Sequence, residues 1–157
     1  MVFRFNKAAA LAAITSLIVL SGCSSIAGGS FYAEQEAVPA DQALVYVYRM
    51  DKYYSKAVTF PFFVDDVQVA KIGNSSYFVV PVEPGVHVFG TRMATVDDEP
   101  LEMEVEAGRS YYLRQEIVSK AMGFYAKSYV EPVNEELAQL EMTSCRREVE
   151  RYSGPDI

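Results

Sequence analysis

The sequence predicts a mainly β protein: an antiparallel sandwich of about seven or eight strands, closed by one short C-terminal helix. Three observations carry this. Short runs rich in Val, Ile, Tyr and Phe recur through residues 43–133, each closed by Gly, Pro, Asn or Asp. Nothing between them repeats apolar residues at helical spacing. One segment, residues 100–107, alternates apolar and acidic side chains without a break, the period of a half-buried strand.

The elements follow in chain order. Arg4 and Lys7 precede an almost unbroken apolar run from Ala8 to Leu20, the pattern of an export signal. As a helix that run is roughly 20 Å long, short of the ~30 Å hydrocarbon core of a bilayer. Residues 1–22 therefore read as a cleaved signal. Residues 23–41 are small, polar and glycine-containing, and read as a flexible tether.

The domain starts near residue 42. "ALVYVYRM", residues 43–50, is β-branched and aromatic, and "FPFFV" and "VQVAKI" flank an Asp65-Asp66 turn. Gly73-Asn74 leads into "SSYFVVPV". In Glu83-Pro84-Gly85-Val86, Pro84 presets φ and Gly85 accepts the positive φ that a type II turn needs. "VHVFGTRM" follows. In "PLEMEVEA", Leu101, Met103 and Val105 face inward while Glu102, Glu104 and Glu106 face out. Gly108 ends that run, and "SYYLRQEIV" and "GFYAKSYVEPV" complete the sandwich at residue 133. In the last segment, 134–157, Asn134 is an N-cap, Glu135 and Glu136 suit a first turn, and Arg146 and Arg147 suit a last turn. Leu137 and Leu140 are the residues expected to face the sandwich.

Counts narrow the chemistry. Loss of the first 22 of 157 residues leaves 135, enough for one domain with a core, and removing Arg4 and Lys7 takes the net charge from −7 to −9. That balance argues against nucleic acid or anionic lipid as a partner of the domain. Two cysteines are present; with Cys23 consumed by lipid, as argued below, Cys145 has no partner for an internal disulfide. A single histidine, His87, does not make a Cys/His metal site, and no cofactor is expected.

Catalytic signatures are absent from the sequence: no nucleophile elbow, phosphate loop or metalloprotease helix appears. Nothing pins a nucleophile beside His87, which reads as structural, and the chain reads as a non-enzyme. Six carboxylates crowd residues 97–106: Asp97, Asp98, Glu99, Glu102, Glu104 and Glu106. The strand glutamates repeat about every 7 Å, too far apart to chelate one ion unaided. They read as a solvated face, with Glu102, Glu104, Glu106 and Tyr112 as candidate surface contacts. Paired aromatics (Tyr53-Tyr54, Phe62-Phe63, Tyr77-Phe78, Tyr111-Tyr112) should send one ring to the core and one to the outer face. Outward tyrosines are a candidate platform for a glycan or protein.

Two resemblances extend this reading. Leu20-Ser21-Gly22-Cys23 resembles the lipobox of bacterial lipoproteins, which implies cleavage between Gly22 and Cys23 and acylation of Cys23. Several acyl chains make a lasting anchor. Ser24, where retained lipoproteins carry Asp, implies sorting to the outer membrane, facing the periplasm. Separately, "ALVYVYR", "FFVDDVQVAKI", "VEPGVHVF" and "EAGRSYYLR" resemble the bacterial lipoproteins called "domain of unknown function 2846", over roughly residues 42–132. "EPGVH" also resembles the PEGA type of β-domain, which implies an immunoglobulin- or PEGA-like sandwich. Neither resemblance supplies a catalytic residue. The expected function is an interaction or structural module of the cell envelope, bound to the bilayer through Cys23 and to an envelope protein. The alternative is a small-ligand or glycan binder.

Overall fold

The computed structural model describes residues 27–120 and 125–149 of the chain. The signal, Gly22 and Cys23 lie outside the described residues. Ten strands and one helix are present among them: β1 (Ala43–Arg49), β2 (Phe60–Val64), β3 (Val67–Ile72), β4 (Ser76–Val82), β5 (Gly85–Thr91), β6 (Val96–Glu99), β7 (Leu101–Val105), β8 (Ser110–Lys120), β9 (Tyr125–Val133), α1 (Glu135–Met142) and β10 (Arg146–Arg147). They form a six-stranded sheet, β10-β4-β1-β8-β9-β6, and a four-stranded sheet, β3-β2-β5-β7.

The sandwich is as expected, but it is neither purely antiparallel nor limited to seven or eight strands. In the large sheet β1 runs parallel to β8, β6 to β9 and β10 to β4. The reason is topological. β1 occupies the middle of its sheet, so the chain builds the small sheet before returning to lay β8 alongside. Pro100 then separates β6 from β7, so one acidic run serves both sheets, β6 on the large and β7 on the small.

The inter-sheet core is aliphatic and phenylalanine-rich. Val45 and Val47 of β1, Phe78 and Val82 of β4 and Leu113 and Ile117 of β8 meet Phe60, Phe62 and Val64 of β2, Ile72 of β3 and Phe89 of β5. Phe62 and Phe78 meet edge-to-face at 5.4 Å. Leu101, Met103 and Val105 point into this core, as their alternation predicts.

All seven residues of β1 are buried. Its second face carries Leu44, Tyr46 and Tyr48, joined by Tyr77 and Tyr112, and is covered by Ala138 and Met142 of α1, Cys145 and Tyr32. The large sheet is thus the middle layer of three. This changes two expectations. Residues 29–32 do not behave as tether: Gly29 donates to the Arg147 carbonyl, Tyr32 donates to that of Cys145, and Phe31 bridges Arg146. And α1, capped by the Asn134 side chain accepting from the Leu137 N–H, buries Ala138 and Met142 while Leu137 and Leu140 face out. Arg146 and Arg147 leave the helix and pair with Ser76 and Tyr77 at the edge of β4. No helix among the described residues is long and apolar enough to cross a membrane.

Candidate functional site

His87 lies on β5 between two turns. Its Nδ1 is 2.9 Å from Asp65 Oδ2 and its Nε2 2.9 Å from the Glu83 carbonyl oxygen. Asp65 closes the β2–β3 turn with φ of 52°, a conformation Asp tolerates, and its Oδ1 accepts the Val88 N–H at 3.0 Å. Burial works against the Asp65 charge, but the Val88 N–H and His87 outweigh it and hold the carboxyl below its ordinary value. Both imidazole nitrogens are engaged with acceptors. The arrangement ties the β2–β3 turn to the β4–β5 turn, where Gly85 takes its positive φ.

The outer face of the small sheet is uncovered. Val86 is 61% exposed, and the register sets Val86 across from Glu104 and Val88 across from Glu102. Both glutamates are exposed. Glu106 does not continue their row: it lies past the end of β7 and pairs with Arg109 at 3.0 Å. Of the remaining carboxylates of the acidic run, Asp97 is exposed and the other two are tied down. Asp98 accepts from the Thr91 hydroxyl and the Met93 N–H, both at 2.7 Å, and Glu99 pairs with Lys127. Among the described residues no group of three or more His, Cys, Asp or Glu is placed to hold a metal ion.

Sequence reasoning missed a groove of about 240 Å³ on this same face, lined by Phe63, Val88, Gly90, Thr91, Arg92, Asp98 and Pro100, with Asp65 at one end. Phe63 and Gly90 are cross-strand partners. A Cβ on Gly90 would stand 3.2 Å from the Pro100 Cβ, a contact tight enough that Pro100 would have to give by a few tenths of an ångström. The Arg92 guanidinium lies over the Phe63 ring at 4.6 Å and pairs with Asp66 at 2.5 Å. Beneath the groove Thr91 bonds the Ser128 hydroxyl at 2.7 Å, and Gln115 donates to Ser128 at 2.8 Å. The groove thus combines an apolar floor with one cation and flanking carboxylates. The only sequence signal for it was the Gly-Thr-Arg break in an otherwise apolar strand.

Tyr112 is not a surface contact. It is 3% exposed, stacks on Tyr46 at 5.0 Å with rings 19° apart, and bonds Gln139 at 3.3 Å under α1. Of the aromatic pairs, Tyr77 and Tyr112 turn away from the inter-sheet core, yet that outer face is itself covered. The layer is fastened by charge. Tyr48 donates to Glu141 at 2.5 Å, and Arg114 reaches Glu116 at 3.3 Å, Glu131 at 2.5 Å and Glu141 at 2.6 Å. Against partial burial, these carboxylates hold the Arg114 guanidinium above its ordinary value. Burial pushes the Cys145 thiol up to about 11, the condition of an inert structural cysteine. Among the described residues, large exposed tyrosines are confined to the loop after β1, at Tyr53 and Tyr54. Contrary to expectation, neither ring of that pair enters the core, because the segment is a loop and not a strand.

Exposed large apolar side chains lie on the outer face of the small sheet, on the loop bearing Tyr53 and Tyr54, on the outward side of α1 at Leu137 and Leu140, and at Phe31 and Val149. Against known proteins, the family model described as "Protein of unknown function (DUF2846)" matches residues 39–130. That span includes β1 to β8 and most of β9, and leaves out α1 and β10. No curated protein matches the chain.

Proposed function

This chain belongs to the DUF2846 family, and from that premise we propose that it is a non-enzymatic interaction module of the cell envelope, anchored through Cys23 in the outer membrane and facing the periplasm. The observation that supports this reading is the contrast between open and closed chemistry. The polar clusters at His87, Arg114 and Asp98 are each tied within the fold. The outer face of the small sheet instead presents Val86 and Val88 beside exposed Glu102 and Glu104, with Phe63 next to them under the Arg92 guanidinium. An apolar strip with an acidic margin suits a protein partner. A tyrosine platform for a glycan finds little support, since Tyr32, Tyr46, Tyr48, Tyr77 and Tyr112 are buried.

The anchor is tested by labelled palmitate, which is expected to enter the wild-type protein and not Cys23→Ala. Equal labelling of the two would remove the lipoprotein reading. The partner face is tested by a photo-crosslinking residue placed at Val86 in intact envelopes. A discrete protein adduct that Glu102→Lys/Glu104→Lys abolishes is the expected result, and unmodified protein alone would defeat it.

A further inference from the structure

Resting on the lipoprotein reading above, we infer that one end of the sandwich, built from the 51–59 loop and the paired β8 and β9 segments 116–119 and 126–129, docks on the phospholipid bilayer. The loop leaves β1 at Arg49 and lies on β8: Lys52 pairs with Glu116 at 3.3 Å, and the Tyr54 hydroxyl donates to the Ile117 carbonyl. Both β8 residues lie beyond Arg114, the last residue of β8 to pair with β1, so loop and hairpin project together. From the side, Asn74 accepts the Lys52 N–H at 2.8 Å and donates to Asp51.

From below, Arg49 holds the loop in shape. It is 1% exposed and donates to the Val58 carbonyl, the Ser55 carbonyl and the Ser55 hydroxyl, each at 2.7 Å, with Phe60 under its guanidinium. A buried cation committed to loop carbonyls fixes this backbone. What the fixed loop displays is apolar: Tyr53 is 93% exposed and Tyr54 half exposed, with Val118 beside them on β8. A tyrosine on a rigid loop loses little freedom on contact, and its ring-plus-hydroxyl matches the layer between headgroups and acyl chains.

Charge separates the two ends of the molecule. Five lysines lie beyond residue 22, and four of them, Lys52, Lys56, Lys120 and Lys127, belong to this loop or to the paired ends of β8 and β9. Of the nearby carboxylates, Glu116 pairs with Lys52 and Arg114, Asp51 with Asn74 and Glu99 with Lys127, while Asp97, across from Lys127, is exposed. At the opposite end Asp66 meets Arg92 and Glu106 meets Arg109, and both stay exposed along with Glu83. The net charge of −9 argues against lipid phosphate for the domain as a whole, but the field is local and this end is where phosphate is accepted. The chain outside the structure supplies the proximity. Cys23 is four residues from Ala27, a reach of at most about 14 Å. That tether lets either end tilt onto the bilayer, and charge rejects the acidic one.

The chain contains no tryptophan, so one introduced indole reports without background. The lipidated full-length variants Tyr53→Trp and Val86→Trp would be reconstituted in vesicles of phosphatidylethanolamine and phosphatidylglycerol. The indole at position 53 is expected to emit at shorter wavelength and to be quenched severalfold more by brominated lipid than that at position 86. Adding Lys56→Glu should reverse most of this difference. Equal quenching at both positions would overturn the proposal while leaving the anchor reading intact. In the same vesicles, an indole at position 53 that stays open to acrylamide and untouched by brominated lipid would also overturn it, since the loop then remains in water. If palmitate labelling fails, the anchor reading falls, and the same variants with vesicles simply added still decide whether this end binds lipid.

Discussion

Strand β1 has two buried faces, and they are built from different chemistry. Toward the small sheet, Ala43, Val45 and Val47 meet aliphatic and phenylalanine side chains that need no polar partner. Toward α1, Tyr46 and Tyr48 carry hydroxyls that must be served, and they are: Tyr46 accepts the Glu36 N–H at 2.6 Å and Tyr48 donates to Glu141. The first face is held by shape alone and lies wholly within the family-matched span. The second draws its cover from α1, β10 and residues 27–36, outside that span. The tyrosine layer is thus the surface on which residues 27–36 and the segment after residue 134 are seated.

The sharpest way to break this contrast is to remove volume from the aliphatic face. Phe62→Ala should cost about 3–5 kcal/mol, read as a lower urea midpoint for the whole domain, because a fully buried ring leaves a cavity. Next in size is a pH effect restricted to the tyrosine face. Burial, reinforced by Tyr112 and Glu135, pushes the Tyr32 phenol up to about 12, and burial with Glu141 pushes Tyr48 upward as well. A group raised in the fold stabilises fully below its unfolded value near 10 and loses that contribution as pH climbs through its folded value. Unfolding midpoints followed by circular dichroism should therefore fall between pH 10 and 12, with a shallower fall in Tyr32→Phe. An identical slope in the two proteins would separate alkaline unfolding from this layer. The smallest effect concerns the cover alone: Asn134→Ala should cost about 1 kcal/mol by leaving the Leu137 N–H without its acceptor. Hydrogen exchange should then rise in α1 well before it rises in Leu113 of the core.

The aliphatic face was legible in the sequence and the tyrosine face was not, for a physical reason. Leu101, Met103 and Val105 declare their side by alternating with glutamate, and Gly85 and Asn134 declare a turn and a cap by local geometry. "ALVYVYR" gives no such signal, because a strand buried on both faces has no polar side to reveal. β6 and β10, "VDDE" and "RR", carry no strand pattern and exist only because β9 and β4 offer free edges. The choice of Ala138 and Met142 over Leu137 and Leu140 follows from where α1 lands on the tyrosines, a long-range fact. Of the surface candidates, Glu102 and Glu104 stand where alternation put them. Tyr112 does not, since its exposure depended on a helix whose position was not encoded nearby. Arg92 and Phe63 come together only across strands.

The bridge between Phe31 and Arg146 has a consequence in time. A chain made from its N-terminus exposes residue 31 long before residue 146 exists, and β1 likewise waits for β8. Such distant pairings close late and slowly. Residues 29–32 therefore wait for residues 145–147 before they can pair, and this edge is among the last parts of the domain to close.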